Sequence, residues 1–310
     1  MAVWGDRRID APTVSEFKHL AATLVSTRVV RRSDRGGHST KEHFFHAIRC
    51  LYRFAVDDGH IAATEDPSAK LDKPRPRPSN RRALPADLLE EICRVAVVTS
   101  DDPELDSLIL RLHIETACRL EGALNLRLQD LDPTQCLIRL REKGDKERWQ
   151  PVSPTLMAGL LRHYHERISL PGATRPKSRN GRRVSAAAHQ RLLRYSYGPP
   201  ISKRRYDTLW ARIGTELEVV AIQGITTHWL RHTTLRWVER NFGYSVAKAF
   251  AGHAHTHGLG ATTVYTRAGI EEIAEALAGL TGEPHPLAAG PGLQWHPADR
   301  TPPLASTTLT

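Results

Sequence analysis

Cysteine is scarce in this chain: four in 310 residues, at Cys50, Cys93, Cys118 and Cys136. They are widely scattered, and no two make the C-x-x-C spacing of a ligand pair. A zinc site or a disulfide framework built from them is therefore not expected, and buried free thiols are. Apolar runs long enough to span a bilayer are missing, and so is a signal-peptide pattern. A cytoplasmic protein without a membrane partner is expected. The H-E-x-x-H motif of zinc proteases is absent, and no internal repeat is found. Acidic charge is also short, because 34 Asp and Glu face 44 Lys and Arg and leave a net charge of +10. Such a balance favours polyanionic partners, nucleic acid first, although it also serves solubility alone.

Hydrophobic residues make up 40% of the sequence, which argues against wholesale disorder. The length allows two domains and a sizeable core. Residues 1–12 read as a frayed start. From Thr13, Val14, Phe17, Leu20 and Leu24 recur at helical spacing. After a basic, glycine-containing break at 31–38, Ser39 and Thr40 open an amphipathic helix. Its expected stripe is Phe44, Ile48, Leu51 and Ala55, broadened by Phe45 and Phe54, and it stops near Asp58-Gly59. Residues 70–82, KLDKPRPRPSNRR, hold six cations and one anion. The alternating prolines forbid a helix and favour an extended path. This segment is either a linker tracking a phosphate backbone or an inert solvated one.

Leu84-Pro85 starts a second domain. Helices are expected over 85–98, 105–118, 154–168, 183–195, 202–218, 227–240 and 270–280. Residues 136–152 alternate instead, with Ile138 and Leu140 between Arg139 and Arg141, and predict a small β-hairpin with a basic turn. Residues 171–182 read as a loop, and the chain beyond Gly282 as a mobile tail. The expected division is 1–70 helical, 71–84 linker, 85–281 main domain and 282–310 tail.

Chemistry-bearing residues follow one order along the second domain: Arg119, Lys143, His228 with Arg231, His253 and Tyr265. A cation-rich site with one nucleophile suits an anionic substrate whose charge grows in the transition state, and a DNA phosphodiester fits best. A guanidinium binds two phosphate oxygens with its planar fork and keeps its charge. His228 and Arg231 lie one helical turn apart, so both can face one phosphate. His228 and His232 have the i, i+4 spacing of zinc ligands, and His253, His255 and His257 form an H-x-H-x-H tract. No carboxylate accompanies either group. Taken singly, each residue has an ordinary reading: a surface arginine, a solvated K-G-D-K turn, a packed tyrosine.

The local sequences resemble the tyrosine recombinase (phage integrase) family. Thr116 to Asp132 is similar to its first arginine box, with Arg119 at the catalytic arginine. The third residue after that arginine, commonly acidic in the family, is Gly122 here, with Glu121 one place earlier. That leaves no carboxylate at the family position to brace Arg119. Arg141 to Arg148 resembles the G-K-G-x-K-x-R hairpin, with Lys143 at the catalytic lysine and Lys146 its close competitor. Thr227-His228-Trp229-Leu230-Arg231-His232-Thr233-Thr234 closely resembles the H-x-L-R-H-T box, the most specific of these motifs. Gly252-His253 and Thr262-Thr263-Val264-Tyr265 resemble the L-G-H segment and the nucleophile box, with Val264 alone between the threonines and Tyr265. The resemblance covers 83–281 well and 13–70 only loosely.

The resemblance implies an α+β, mainly α-helical fold: a small helical core-binding domain and an integrase-like catalytic domain with a small antiparallel sheet. It implies DNA strand cleavage and rejoining through a 3′-phosphotyrosine, without cofactor or metal, in the service of a mobile element. Arg119, Lys143, His228, Arg231, His253 and Tyr265 would be catalytic. Lys73, Arg75, Arg77, Arg81, Arg82, Lys146, Lys203, Arg204 and Arg205 are plausible phosphate contacts, as are Lys177, Arg179, Arg182 and Arg183. The partner would be double-stranded DNA, bound by a homotetramer that is a monomer when free. Residues 270–280, with Ile270, Ile273, Ala274 and Leu277 in a strip, would either dock on a neighbour or pack within their own subunit. Three alternatives stay open: a type IB topoisomerase, a DNA-binding protein with an unused site, and a metal-dependent hydrolase built on the histidines.

Overall fold

The protein is described by a computed structural model over residues 7–28, 37–72, 82–142, 146–170, 190–252 and 268–288. It divides into two units, Met1–Asn80 and Arg81–Thr310. In the first unit, Thr13 caps helix α1 (Val14–Thr27) in a capping box with Glu16. Helix α2 (His38–Asp57) follows, with Gly37 as its left-handed N-cap. Phe17 and Ala21 of α1 meet Phe45, Ile48, Tyr52 and Ala55 of α2, and Ile61 and Leu71 close the cluster. The buried stripe of α2 is displaced from the one expected. Leu51 and Phe54 are about half exposed, at 53% and 54%, and Tyr52 is buried instead. One partner helix covers only a narrow stripe of α2. The Tyr52 ring meets Phe17 edge-on at 5.7 Å while its hydroxyl donates to the Ile9 carbonyl at 2.6 Å.

The second unit is built around α4. Helices α3 (Ala86–Val98) and α4 (Pro103–Thr116) pack together, and most of α4 is buried. After the short α5 (Leu120–Leu124), three antiparallel strands run in the order β1 (Leu131–Asp132), β2 (Leu137–Glu142), β3 (Lys146–Pro151). Arg139 pairs with Trp149 and Leu140 with Arg148, as a hairpin over 136–152 requires. Then come α6 (Pro154–Ile168), α7 (Lys203–Glu216), α8 (Glu218–Gln223), α9 (Thr227–Phe250) and α10 (Ile270–Thr281). The architecture is α+β, mainly helical, with one small antiparallel sheet.

Buried carboxylates tie these elements together. Asp106 holds Arg205 at 2.8 Å and Arg212 at 2.5 Å. Asp102 holds Arg167 of α6, and Asp130 holds Arg139 and Arg141. Glu115 pairs with Arg111 and accepts from the Ser153 N–H at 2.8 Å, which fixes the start of α6 against α4. Buried acids with such partners satisfy the rule that interior charge is paired.

Three expectations are corrected. Residues 190–195, the described part of the helix expected over 183–195, are irregular. Leu192 donates to the Leu126 carbonyl and Arg194 bridges Pro200. Gly198, at φ 104°, and the two prolines after it turn the chain back and leave no room for a helical turn there. Helix α9 runs on to Phe250 instead of stopping at 240, with a break at Gly243 (φ 86°, ψ 170°). The tail does not begin at Gly282. Glu283 bonds Arg111 and the Thr155 N–H, and buried His285 meets the Cys136 carbonyl at 3.1 Å. The α10 strip packs within its own unit, where Ile273, Leu277 and Leu280 join Val238 and Phe250.

Candidate active site

Strand parity decides which side chains reach the site. Alternate residues of a strand face the same way. Ile138 and Leu140 of β2 face the core at 0% exposure, so Glu142, next in phase, turns inward too. Across the ladder, Arg148 and Gln150 of β3 are the partners of Leu140 and Ile138 and share that face. Glu142 and Arg148 therefore point toward the C-terminal end of α4, and Trp149 stays 45% exposed on the other side.

Helix α4 ends at Ala117, a buried non-glycine residue in left-handed geometry (φ 48°). This cap redirects the chain so that Arg119 precedes α5 in extended backbone. Helix ends leave carbonyls without helical partners. Here guanidiniums take them: Arg148 Nη2 donates to the Thr116 carbonyl at 3.1 Å, and Arg231 Nη1 donates to that of Ala117. Arg231 Nη2 also donates to the Ala251 carbonyl at the end of α9, at 2.7 Å. One buried arginine thus joins the ends of two helices. Non-glycine residues in such geometry cost about 1–3 kcal/mol and persist where their surroundings over-determine them, commonly at functional sites.

The threonines that follow Arg231 hold α9 against α4 and against the segment that leads into α3. Thr234 donates to the Ile114 carbonyl at 2.7 Å, and Thr233 accepts from the Leu84 N–H at 3.0 Å. At the start of α9, Trp210 donates to Thr227 at 2.8 Å. His228 is exposed, one turn before Arg231. His232 is half-buried, its Nδ1 without a hydrogen-bond partner.

Glu142 is the carboxylate of the cluster. Its Oε1 accepts from the Arg119 backbone N–H at 3.0 Å, and its Oε2 from the Arg119 guanidinium. Arg148 lies 4.0 Å from it. Arg119 and Arg148 thus flank one carboxylate, and Arg231 feels the charges of both arginines and of Glu142, whereas the arginines paired with Asp102, Asp106 and Asp130 are largely neutralised. Burial lowers the Arg231 pKa to about 10, and the nearby Arg119 charge lowers it too while Glu142 opposes the fall. Arg148 is lowered by burial in the same way. Arg231 remains charged at neutral pH, and the 39% exposure of the Arg119 side chain opens the cluster to an anion from solvent.

Behind the cluster, buried His113 contacts the Cys118 carbonyl at 3.1 Å and the Tyr206 hydroxyl at 3.0 Å. Burial drives its pKa down to about 4 and that of Cys118 up to about 11, so both are neutral props at pH 7.

The structure brings together Arg119 and Arg231 of the sequence-derived set and places His228 on the same helix as Arg231. Glu142 and Arg148 were missed as site residues, although the parity set by Ile138 and Leu140 was available to find them. The carboxylate that Gly122 cannot supply comes from β2. Lys143, His253 and Tyr265 lie outside the described residues, as do Lys73, Arg75, Arg77 and Arg81, the further basic residues Lys177, Arg179, Arg182 and Arg183, and the Lys146 side chain. Their flanks are described: Glu142 precedes Lys143, and Gly252 precedes His253. Of the remaining basic residues, Arg82 and Arg204 are exposed, and Lys203 pairs with Asp207 at 2.8 Å. Arg205 is a correction, because it is 4% exposed and spent on Asp106 and Asp101. Among the described residues no group of His, Cys, Asp and Glu could hold a metal, and no helix is long and apolar enough to cross a membrane.

Residues 83–270 match the phage integrase family. Tyrosine recombinase XerD of Lacticaseibacillus casei is 24% identical over 245 residues, which cover 78% of this chain and 77% of that protein. Tyrosine recombinase XerC of Mycobacterium tuberculosis is 27% identical over 288 residues, covering 86% and 82%. Among solved structures, a lambda integrase dimer bound to a COC' core site is similar at a TM-score of 0.56 and 16% identity, covering 81% of this chain and 82% of that one. The Tn1549 transposon integrase in complex with circular intermediate DNA is similar at 0.55 and 16%, covering 84% and 82%. The structures carry the likeness of fold, and the family match spans more than half of the sequence: the chain belongs to the phage integrase family and is a tyrosine-recombinase enzyme.

Proposed function

We propose that this enzyme cleaves and rejoins DNA strands at specific sites through a 3′-phosphotyrosine, as an integrase or recombinase of a mobile element. The observation that carries the reading is the guanidinium cluster of Arg119, Arg148 and Arg231 with a single carboxylate. Such a cluster suits a phosphodiester that gains negative charge in the transition state. Arg119 and Arg231 clamp the non-bridging oxygens, each donor worth roughly 3 kcal/mol by analogy with oxyanion sites.

The Tyr265 hydroxyl oxygen attacks phosphorus as the bond to the 5′ oxygen breaks. His228 takes the phenol proton, and Lys143 gives a proton to the leaving 5′ oxygen. A tyrosine ordinarily titrates near 10, and surrounding cations favour its phenolate. His253 is a further phosphate ligand. The phosphotyrosine keeps the energy of the broken bond, so the free 5′ hydroxyl reseals it without ATP or metal. Basic side chains at Lys73, Arg75, Arg77, Arg81, Arg82, Lys146, Lys203 and Arg204 contact the backbone of duplex DNA. Four subunits assemble on two DNA sites, and the free protein is a monomer.

The test is strand exchange. Duplexes selected for binding from a random library are cloned in pairs and incubated with the protein and EDTA. Recombinant products support the reading. Relaxation of supercoiled DNA without exchange points to a topoisomerase. Binding with neither outcome points to a DNA-binding protein with an unused site.

A further inference from the structure

We infer that Glu142 is the positioning residue of the cleavage reaction, holding Arg119 for the phosphate from β2, beside Gly122, which brings no side chain of its own to the cluster. The inference rests on the proposed strand-cleavage function. Glu142 is 4% exposed at its side chain, yet it carries a carboxylate into the cluster. Both oxygens are used on one residue, Oε1 on the Arg119 N–H and Oε2 on its guanidinium. Backbone and side chain of Arg119 are thereby fixed together, which a single contact would not achieve. Arg148 and Arg231 keep buried backbone carbonyls as partners, whereas Arg119 is half-exposed and has Glu142 as its anchor. A lone carboxylate among three guanidiniums also offsets their mutual repulsion while no DNA is bound.

Gly122 faces this carboxylate across the gap between α5 and β2. A Cβ there would stand 3.5 Å from Glu142 Cγ and 3.7 Å from Oε1. Both are ordinary van der Waals distances, so position 122 lies directly beside the Glu142 carboxylate. A carboxylate can enter from the helix or from the strand, and this chain uses the strand. The prediction is reciprocal: with Glu142 cut back to alanine, an acidic side chain at 122 can reach Arg119 from the other side.

The experiment compares wild type, Glu142→Ala, Glu142→Gln and the double variant Gly122→Glu/Glu142→Ala. Each is assayed for single-turnover cleavage at saturating DNA, for DNA affinity, and for solvent exchange of the Arg119 backbone amide and guanidinium protons by NMR. Misplacing a substrate-positioning group costs about a hundredfold. Glu142→Ala is expected to lose cleavage on that scale with little change in affinity and to speed Arg119 exchange. Glu142→Gln, which keeps an acceptor and loses the charge, falls between. The double variant is expected to recover at least a tenth of the wild-type rate, on the order of tenfold above Glu142→Ala, and to slow exchange again. A folded Glu142→Ala with unchanged cleavage and exchange overturns the inference, and so does a folded double variant with neither restored. Should wild type cleave no DNA, the functional reading fails, and unchanged Arg119 exchange across the variants then overturns the inference separately.

Discussion

The side chain of Arg148 lies on the α-carbon of Gly252, where an added Cβ would collide with Arg148 Cδ and Nε. Gly252 is also left-handed (φ 64°). Two demands therefore coincide at the residue before His253: a backbone turn that favours glycine, and a buried guanidinium stem that excludes any side chain. Arg148 cannot simply swing away, because Thr116 and Gln150 hold its guanidinium. Gly252→Ala should destabilise the fold by about 2 kcal/mol, from overpacking and unfavourable φ together. It should also slow cleavage at least tenfold, on the order expected when a positioned group moves by an ångström. Chemical denaturation and single-turnover assays read the two effects. A variant of wild-type stability would show that the Arg148–Gly252 contact is not constraining.

Arg119 and Arg231 should separate in their effects on stability. Removing the Arg231 guanidinium strips the Ala117 and Ala251 carbonyls of a buried donor, and an unsatisfied buried group costs about 1–3 kcal/mol. Arg231→Ala should therefore lose both stability and cleavage. Arg119 is half-exposed, so Arg119→Ala should lose cleavage by about a hundredfold or more while stability changes by about 1 kcal/mol. Urea titration of both variants beside the cleavage assay checks this. Equal destabilisation by the two substitutions would contradict the division of roles.

Stability should fall on mild acidification. His113 is held neutral down to about pH 4 and His163 down to about 3, both chiefly by burial. In the unfolded chain imidazole takes its proton near 6.5. Between those values the unfolded state binds more protons, so the contribution is complete above about 6.5 and is lost as pH falls toward 4. His113 alone accounts for roughly 3 kcal/mol across that window. Melting temperature measured between pH 7.5 and 4.5 should drop steadily below 6.5. A flat profile would mean that these imidazoles are not neutral props.

The basic run at 203–205 should divide between DNA and fold. Arg204→Ala should lower the salt dependence of DNA binding by about one counterion and leave stability unchanged. Arg205→Ala leaves Asp106 with only Arg212 and the Ser100 hydroxyl and should destabilise by about 3 kcal/mol without altering that slope. Binding isotherms over a salt series, beside thermal melts, separate the two.

Periodicity carried most of the fold. Thr13 with Glu16, the alternation at Ile138 and Leu140, and the strip at Ile273 and Leu277 each combine a local cap or repeat with an apolar face, and the elements formed there. Tertiary partners were less legible. Lys203, Arg204 and Arg205 look alike in sequence, and only the position of Asp106, far away in the chain, makes Arg205 internal. Tyr52 rather than Leu51 is buried because Phe17 and the Ile9 carbonyl await it. Residues 283–288 lack an apolar pattern and are held by polar groups, Arg111 and the Cys136 carbonyl, that no local window contains. In the site, the arginine boxes were readable because their residues lie within a helical turn. The carboxylate beside Arg119 comes from a strand some twenty residues away, beyond any local window, although the parity of β2 turns Glu142 inward.

The central claim, a phosphotyrosine at Tyr265 in the proposed reaction, is tested most directly by locating the covalent bond. The protein, with EDTA present, is incubated with a nicked suicide duplex of a selected binding site, labelled in separate reactions at the 5′ or the 3′ end of the cleaved strand. Products are resolved on a denaturing gel for wild type and Tyr265→Phe. The account predicts a protein adduct on the 5′-labelled fragment, a released fragment with a free 5′ hydroxyl, and no adduct with Tyr265→Phe. An adduct on the 3′-labelled fragment, or one that survives Tyr265→Phe, would contradict it.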